Sequence, residues 1–403
     1  MLRSNRALAA IFLIIFVDIL ALTLVLPYLP FFAERFGASP TQIGMIITVF
    51  AFCQFLSGPV LGRMSDQMGR KPILILSQIG TCAGFVLLAF AQNLWMVYAA
   101  RILDGITAGN ITVAQAAISD VTKPAERTKA FSLIGISFAT GFFIGPAISG
   151  LLLHWGPSAP AWGAAFLSFV SILTTSFLFK DEEEIHRDKQ PFQITWSTFA
   201  EGINLKPMAK YLSMVRLKEL LYQFFFFNVS FSAYISCFAL FAERRLSYDG
   251  HPFGVREVGY LYAYLGLLGI LIRSFVIDRS IKKFGEKATS RLGFLVQGVG
   301  YCCFCFVHSI PAALVAATLG ALGSGLVRPT LASLMSREVG PREQGAVFGV
   351  SQSLAAIASI VAPLLAGFLI GNASLVAWAL FAGLSMLVAL LIQQPNSPQQ
   401  VTE

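Results

Sequence analysis

Long apolar runs separated by short polar breaks dominate the sequence. Each run holds about 20 residues, the length that a helix needs to cross the hydrocarbon core of a bilayer. The runs are continuous rather than alternating every second residue, which excludes a membrane β-barrel. The pattern predicts twelve spanning helices, and an even number places both termini on the same side of the membrane. The predicted spans, numbered 1 to 12, are residues 7–32, 41–61, 72–91, 94–118, 130–153, 161–179, 219–241, 257–277, 290–308, 311–335, 345–369 and 373–393.

Composition agrees with a membrane protein. Of the 403 residues 56% are apolar and 12% are charged, about half the charged share of a soluble protein, so a soluble protein is excluded. The first apolar run is too long for the core of a signal peptide and is expected to remain as a span. The six cysteines lie in apolar runs and the four histidines are scattered. We therefore expect no disulfide, no metal site, no cofactor and no enzymatic activity, and the absence of a nucleotide-binding loop argues against an ATP-driven pump.

The distribution of basic residues predicts the orientation. With the N-terminus inside, 22 of the 29 Lys and Arg residues lie on the inner side and four lie in outer loops. Because basic residues are retained on the cytoplasmic side, both termini are expected in the cytoplasm. The net charge of +8 thus reflects topology and contact with anionic lipids, and it does not indicate nucleic-acid binding.

A polar linker divides the spans six from six, and the two halves resemble each other. The predicted domains are an N-terminal six-helix bundle, residues 1–180, a cytoplasmic linker, residues 181–218, and a C-terminal six-helix bundle, residues 219–403. A shift of 217 residues aligns Pro146 with Pro363 among six gapless identities. The sequence therefore predicts an all-α membrane protein of two pseudo-symmetric bundles, an architecture in which transporters open a central cavity alternately to either side.

Two places in the predicted spans carry charges that suit proton coupling. Ionisable groups in a bilayer cost about 2.5–3.5 kcal/mol each on insertion scales, so each needs a reason. Asp18 lies near the middle of span 1 with no basic residue within helical reach, and burial of a lone carboxylate favours its protonated form. Arg101 and Asp104 in span 4 are three residues apart and can form an ion pair. The alternatives are a carboxylate bonded to a neighbouring helix and a static pair that fixes helix packing.

Polar positions continue along one face of span 4. At about 100° per residue, Thr112 and Gln115 fall on the same side as Arg101 and Asp104, which is typical of a helix that faces water rather than lipid. Arg328 in span 10 is a fixed positive charge that can bind an anionic substrate group or pair with a carboxylate of the first half. A purely structural role of Arg328 is equally open.

The second half supplies further candidates for a substrate site. Span 7 has neutral polar groups beside four consecutive phenylalanines, and spans 8 and 11 add tyrosine and glutamine side chains. Aromatic walls with scattered hydrogen-bonding groups suit a moderately hydrophobic organic ligand, although membrane helices also pack many aromatics. The substrate-binding candidates are Thr112, Gln115, Asn228, Tyr234, Tyr262, Arg328 and Gln352.

Charged and glycine residues cluster in the break between spans 2 and 3. Glycines seven residues apart allow a tight turn, and the acidic and basic side chains between them can hold the cytoplasmic ends of neighbouring helices together. A solvated charged loop is the alternative. The predicted cytoplasmic gate consists of Gly62, Asp66, Gly69, Arg70, Lys71, Asp120 and Arg127.

Span 5 carries small residues at intervals of four, with a proline inside. Small residues at this spacing let a neighbouring backbone approach closely, and the proline bends the helix. We expect Gly141, Gly145, Pro146 and Gly150 to form a tightly packed, kinked helix at a moving interface.

These segments resemble the major facilitator superfamily, within it the twelve-helix drug:proton antiporters and especially the tetracycline/proton antiporter group. The gate segment resembles the superfamily motif between spans 2 and 3, and Arg101-x-x-x-Gly105 resembles a span 4 motif whose arginine is implicated in proton transfer. Span 5 resembles the antiporter motif, with Ser149 where glycine is usual, and Asp18 with its following prolines resembles span 1 of tetracycline exporters. The resemblance covers nearly the whole chain.

The resemblance implies proton-coupled export of a small amphipathic organic compound, a drug-type antiport, with small-molecule substrate and protons as partners. It further implies a multi-pass protein of the cell inner membrane, and we expect a monomer. Asp104 departs from the small residue often found there, so either Asp18 or Asp104 can carry the proton. The second-half segment Asp278–Lys287 keeps Gly285 and Glu286 but lacks the first glycine and the acidic residue. The alternative function is a proton-coupled carrier of a sugar, amino acid, nucleoside or siderophore.

Overall fold

Helices make up almost all of the described chain. The computed structural model describes residues 2–122, 127–179, 205–340, 343–372 and 374–392. The first half contains α1 Leu2–Val25, α2 Tyr28–Glu34, α3 Pro40–Met68, α4 Arg70–Ala89, α5 Leu94–Ile106, α6 Asn110–Val121, α7 Arg127–Leu152 and α8 Ala159–Leu178. The second half contains α9 Leu205–Leu212, α10 Val215–Arg245, α11 Val255–Leu271, α12 Ile277–Cys303, α13 Ile310–Arg337, α14 Gln344–Gly371 and α15 Leu375–Ile392.

The observed helices account for the predicted spans. Ten helical segments in the described residues are long and apolar enough to cross a membrane. One of them, Val255–Phe306, contains two predicted spans and is interrupted at Gly285, where φ is 79°. Span 4 is folded as α5 and α6, each too short to cross alone. With these two cases the structure agrees with twelve spans, and the predicted all-α membrane fold is confirmed.

Local sequence explains where several helices begin. Ser39 and Gln42 form a capping box at the start of α3, with Pro40 at its first position, and this satisfies backbone N–H groups that lack helical partners. The Asn93 side chain accepts a hydrogen bond from the Met96 backbone N–H at 3.0 Å and caps α5. These polar caps determine the residue at which each helix begins, which the apolar run alone does not specify.

Four irregular segments lie outside the predicted pattern. A two-stranded hairpin, β1 Ser247–Tyr248 and β2 His251–Pro252, joins α10 to α11. Its turn residues Asp249 and Gly250 both have positive φ, as a two-residue hairpin of this kind requires. A π-helical turn, Ile272–Val276, joins α11 to α12, and single 3₁₀ turns follow α7 and α12.

The chain forms two compact units. The first comprises residues 1–204, 236–270 and 363–372, and the second comprises residues 205–235, 271–362 and 373–403. In the first unit, α1 packs against α7 and α8, and α4 packs against α5 and α8. In the second unit, α12 packs against α13 and α15. The predicted domains 1–180 and 219–403 stay a prediction, and most of the predicted linker lies outside the described residues.

Candidate functional site

A buried ion pair occupies the end of α5. The Arg101 Nη1 and Asp104 Oδ2 atoms are 3.1 Å apart, and each residue is 3% exposed. The Arg101 guanidinium also lies 5.3 Å from the ring centroid of Phe85 and 5.9 Å from that of Phe50. Its Nε and Nη2 atoms have no hydrogen-bond partner within the described part of the chain. Neutralising Asp104 would leave Arg101 as a buried cation without a counter-charge, which is strongly unfavourable.

Asp18 lies in α1 among neutral polar side chains. Both carboxylate oxygens are buried, and neither has a hydrogen-bond partner among the described residues. The side chains of Gln78, Ser171 and Asn110 are the polar groups that act on it, with Asp104 as the nearby charge. A carboxylate that receives no donor and no counter-charge favours its neutral, protonated form. Among the described residues Asp18 is thus a carboxylate without a partner, whereas Asp104 is held in an ion pair.

The polar neighbours of Asp18 join α4 to α8. The Gln78 side chain donates to the Ser171 hydroxyl at 2.8 Å, and the Ser168 hydroxyl donates to the Gln78 carbonyl at 3.3 Å. Within the described residues, Gln78 Oε1 and Asn110 Oδ1 are buried without a partner, as are the Asp18 oxygens. Several unsatisfied acceptors in one region mark a place where a proton or an ordered water completes the hydrogen bonds.

The polar face predicted along span 4 is interrupted. Between α5 and α6, the Thr107 carbonyl accepts a short hydrogen bond from the Ser77 hydroxyl, and the Gly109 backbone N–H donates to Ser77 Oγ at 2.9 Å. Arg101 and Asp104 before this break are buried, whereas Thr112 after it is exposed and Gln115 is half-buried. One continuous face lining water, which the helical spacing predicted, is therefore not observed.

The substrate candidates of the second half have different surroundings. Asn228 is buried and donates to the Phe224 carbonyl at 2.7 Å. Tyr234 stacks on Tyr301 with a centroid distance of 4.4 Å, and Tyr262 packs on Phe238 at 5.5 Å. These three side chains are part of packed helix contacts. Two further candidates are exposed, Arg328 in α13 and Gln352 in α14.

The predicted gate residues converge around Arg70. Its Nε donates to Asp120 Oδ2 at 2.7 Å, and its Nη1 contacts Asp66 Oδ1 and donates to Ser65 Oγ at 2.7 Å. Lys71 donates to the Ser176 carbonyl at 2.7 Å. Arg70 thus connects the end of α3 with the end of α6 at the start of α4. The side chain of Arg127 lies outside the described residues.

The connection between α3 and α4 is shorter than the sequence indicated. The segment from Gly62 to Lys71 was predicted as a loop, but α3 continues to Met68 and α4 begins at Arg70. That prediction is wrong because only Gly69, with φ of 102°, has to leave the helical conformation. Gly62 and Asp66 lie in the last turns of α3, where Asp66 reaches Arg70 four residues away.

The second half contains a counterpart of this cluster with reversed charges. Gly285 interrupts the helix as Gly69 does, with φ of 79°. Glu286 then accepts hydrogen bonds from Arg337 Nη2 at 2.8 Å and from Ser333 Oγ at 2.9 Å. A shift of 216 or 217 residues relates Arg70 to Glu286 and Asp120 to Arg337. Lys282 stands in the second half where Asp66 stands in the first, so the second-half motif keeps its charges with the signs reversed.

The small residues of α7 bring α1 into close contact. The Thr23 hydroxyl of α1 donates to the Gly141 carbonyl at 2.9 Å. A Cβ atom at Gly141 would lie 2.7 Å from Ile19 Cγ2, and one at Gly145 would collide with Thr23 Oγ1. Side chains at these positions would force the two helices apart.

Pro146 and its counterpart Pro363 each receive a glycine of another helix. A Cβ atom at Gly259 of α11 would lie 2.7 Å from the Pro146 carbonyl oxygen, and one at Gly44 of α3 would collide with the Pro363 carbonyl oxygen. Gly150 similarly lies against Arg256: a Cβ atom built at Gly150 would be 3.3 Å from the Arg256 Cα atom. All of these residues belong to the first compact unit. Two equivalent prolines thus make equivalent close contacts, which supports the internal repeat.

Comparison with known proteins identifies the family. The family model for the Major Facilitator Superfamily matches residues 11–283 and 274–402. This chain belongs to the major facilitator superfamily. The tetracycline resistance protein, class B, of Escherichia coli is 30% identical over 386 residues, which are 94% of this chain and 91% of that protein. Multidrug resistance protein 2 of Bacillus subtilis is 25% identical over 381 residues, which are 93% of this chain and 91% of that protein.

A solved structure agrees with the fold. The crystal structure of the human organic anion transporter MFSD10 superposes with a TM-score of 0.73, covering 97% of this chain and 99% of that chain at 22% identity. At this identity the likeness shows the major facilitator fold alone. The family predicted from the sequence motifs is confirmed, and this major facilitator protein is a multi-pass membrane transporter rather than an enzyme.

Replacing Gly145 by alanine is expected to destabilise this major facilitator protein by about 1–3 kcal/mol, because the new Cβ would collide with Thr23 Oγ1 and overpack the contact between α7 and α1. Thermal denaturation of the purified protein measures the change. Gly349→Ala in α14 is the control, since nothing lies within 4 Å of a Cβ built there. An equal loss of stability in both variants would contradict the predicted close contact.

Sequence reasoning missed several of the residues that complete the site. Gln78, Asn110 and Ser171 surround Asp18, and the structure alone shows their convergence. A signal was present, since Ser168, Ser171 and Thr175 recur at three and four residues and so share one face of α8. Polar residues on one face of an apolar span indicate an interior contact, but they do not identify the carboxylate that they approach.

Proposed function

We propose that this chain is a proton-coupled exporter of small amphipathic organic compounds, working by alternating access. The relatives that match over more than nine-tenths of the chain are named for resistance to tetracycline and to multiple drugs. Such resistance is a natural result of export. The alternative, a carrier of a metabolite, has no comparable support among these relatives.

The observation that carries the proton-coupling proposal is the unpartnered carboxylate of Asp18. A carrier group has to be stable with its proton and also able to release it when its surroundings change. Asp18 meets the first condition because no described residue donates to it. Asp104 meets it less well because Arg101 stabilises its charged form at 3.1 Å. We therefore assign the proton to Asp18 and a positioning role to the Arg101–Asp104 pair.

The energetic requirement is modest. One proton that crosses a potential of 100 mV releases about 2.3 kcal/mol. That free energy supports a concentration ratio of roughly fifty for a neutral substrate. One coupled proton per cycle is therefore sufficient for export against a useful gradient.

The remaining roles are proposed from the contacts within each cluster and from the sequence patterns. The Arg70 cluster, with Asp66 and Asp120, acts as the cytoplasmic gate. The small residues of α7 form a moving contact between α7 and α1. The substrate-binding candidates named from the sequence stay a prediction. The protein is a monomer in the cell inner membrane with both termini in the cytoplasm, where the surplus of basic residues contacts anionic lipids.

Transport in reconstituted vesicles tests the proposal. The purified protein is placed in liposomes, a pH gradient is imposed, and the movement of tetracycline, lipophilic cations, siderophores, sugars and amino acids is measured together with internal pH. We expect an amphipathic drug to move up its gradient while protons move in the opposite direction. Transport of a metabolite alone, or drug transport that survives collapse of the gradient by a protonophore, would contradict the proposal.

A further inference from the structure

Arg328 is a mid-span cation with an unusual environment. It lies within α13, and its guanidinium carbon is 5.7 Å from the ring centroid of Phe227 and 5.6 Å from that of Phe231, both on α10. The residue is exposed, although Val327 before it and Leu331 three residues after it are fully buried. The guanidinium is thus held against two aromatic rings while remaining accessible.

The charge of Arg328 is not compensated within the described part of the chain. None of the ion pairs there includes Arg328, and no carboxylate or carbonyl group accepts a hydrogen bond from it. Arg101, the arginine of predicted span 4, is by contrast paired with Asp104. An unpaired guanidinium facing hydrocarbon is strongly unfavourable. An exposed one is therefore expected to face water and to be available to an anion.

The two rings determine how an anion would approach. Aromatic faces attract the guanidinium through the ring quadrupole and fix its orientation. They cover its apolar face and leave N–H groups at its edge, which match the two oxygens of a carboxylate or two of the three oxygens of a sulfonate. Phe231 is half-buried and offers an apolar surface beside the charge, whereas Phe227 is fully buried and only supports the guanidinium. A ligand that satisfies both features has an acidic group next to an aromatic or aliphatic body.

We propose that Arg328, Phe227 and Phe231 form a subsite for the anionic group of an amphipathic substrate. This assignment rests on the proposed export function and specifies the substrate class as organic anions or zwitterions. Neutral compounds and simple cations would use the aromatic surface but gain nothing from the guanidinium. Anionic lipid headgroups offer the same chemistry from another source, so the test separates the two.

Two probes that differ only in charge test the subsite. Dansylglycine has a free carboxylate, and dansylglycinamide has the same body without the charge. Binding is measured by dansyl fluorescence, and gradient-driven transport is measured in vesicles of phosphatidylcholine alone and of phosphatidylcholine with phosphatidylglycerol. In wild-type protein we expect the carboxylate to bind more tightly than the amide by about tenfold or more, with little change between the two lipid compositions.

Variants identify the residue responsible. Arg328→Gln is expected to remove the preference for the carboxylate by weakening that probe about tenfold while leaving the amide unchanged, and Arg328→Lys is expected to keep part of it. Arg273→Gln, a change at another exposed arginine of a candidate span, should behave as wild type. An unchanged preference, or equal losses for both probes, overturns the subsite. A preference that disappears only in anionic lipid means that Arg328 binds lipid headgroups, which also overturns it.

The outcomes separate this inference from the proposed function. If protons drive drug transport but Arg328→Gln keeps the charge preference, the subsite fails and the export function stands. If no compound moves with the pH gradient, the export function fails, and the binding measurements still decide whether Arg328 selects an anion.

Discussion

Replacing Asp18 by asparagine is expected to abolish transport driven by a pH gradient, lowering it to the level of protein-free vesicles. Asparagine has the size of a protonated aspartate and cannot release a proton, so the variant stays in the neutral state. Exchange of labelled for unlabelled substrate across the membrane needs no net proton movement and should continue. Measuring both reactions on one preparation shows whether coupling is lost while binding and conformational change remain.

The surroundings of Asp18 make this a clean experiment. No described side chain donates to the carboxylate, so asparagine breaks no ion pair, and the folded amount should stay close to wild type. Asp249→Asn is the matched control, because Asp249 lies in the exposed hairpin turn with φ of 52°, a conformation that asparagine tolerates well. Gradient-driven transport by the Asp18→Asn variant would refute the assignment. Asp104→Asn is less informative, since it leaves Arg101 buried without its counter-charge and is expected to lower the folded amount.

Reversing the charge of Arg70 is expected to reduce transport by more than about tenfold, because Glu at position 70 would meet the carboxylates of Asp66 and Asp120 and open the cluster through repulsion. The second half of the chain offers a specific rescue. There Lys282, Glu286 and Arg337 occupy the equivalent positions with each sign reversed. The triple variant Asp66→Lys, Arg70→Glu and Asp120→Arg is therefore expected to recover most of the lost transport, to within about threefold of wild type.

Initial transport rates, normalised to the amount of folded protein in each vesicle preparation, measure the effect. Arg35→Glu is a suitable control, because Arg35 is exposed at the end of α2 and lies in a different connection of the first half. A triple variant that folds normally yet transports no better than Arg70→Glu would show that the sign of each charge matters. In that case the ion pairs would not act merely as a connection between helix ends.

The sequence was sufficient for the spans but not for their irregularities. Apolar runs of about 20 residues have few alternatives to a spanning helix, and caps such as Ser39 and Asn93 fix their starts. The break between α5 and α6 was not predicted because it depends on hydrogen bonds from Ser77, which lies about 30 residues earlier in the chain. Helical spacing assumes a continuous helix, and it therefore placed Thr112 and Asp104 in one environment.

The candidate site shows the same limit. Motif spacing pointed correctly to the cluster of Asp66, Arg70 and Asp120 and to the neighbouring pair Arg101–Asp104. It could not show that Glu286 bonds Arg337, 51 residues away. Nor could it distinguish an aromatic side chain in a packed stack, such as Tyr234, from one facing open space, because both occur in equally apolar helices.

The single residue between α3 and α4 keeps the adjoining ends of the two helices close together. The Cα atoms of Met68 and Arg70 are two peptide steps apart, so they can separate by no more than about 7 Å. Any rearrangement that draws the adjoining ends of the two helices further apart must unwind the last turn of α3, which breaks backbone hydrogen bonds. The two helices should therefore move together. Hydrogen–deuterium exchange should show faster exchange of the amides around Asp66 in any state that separates the adjoining ends of α3 and α4.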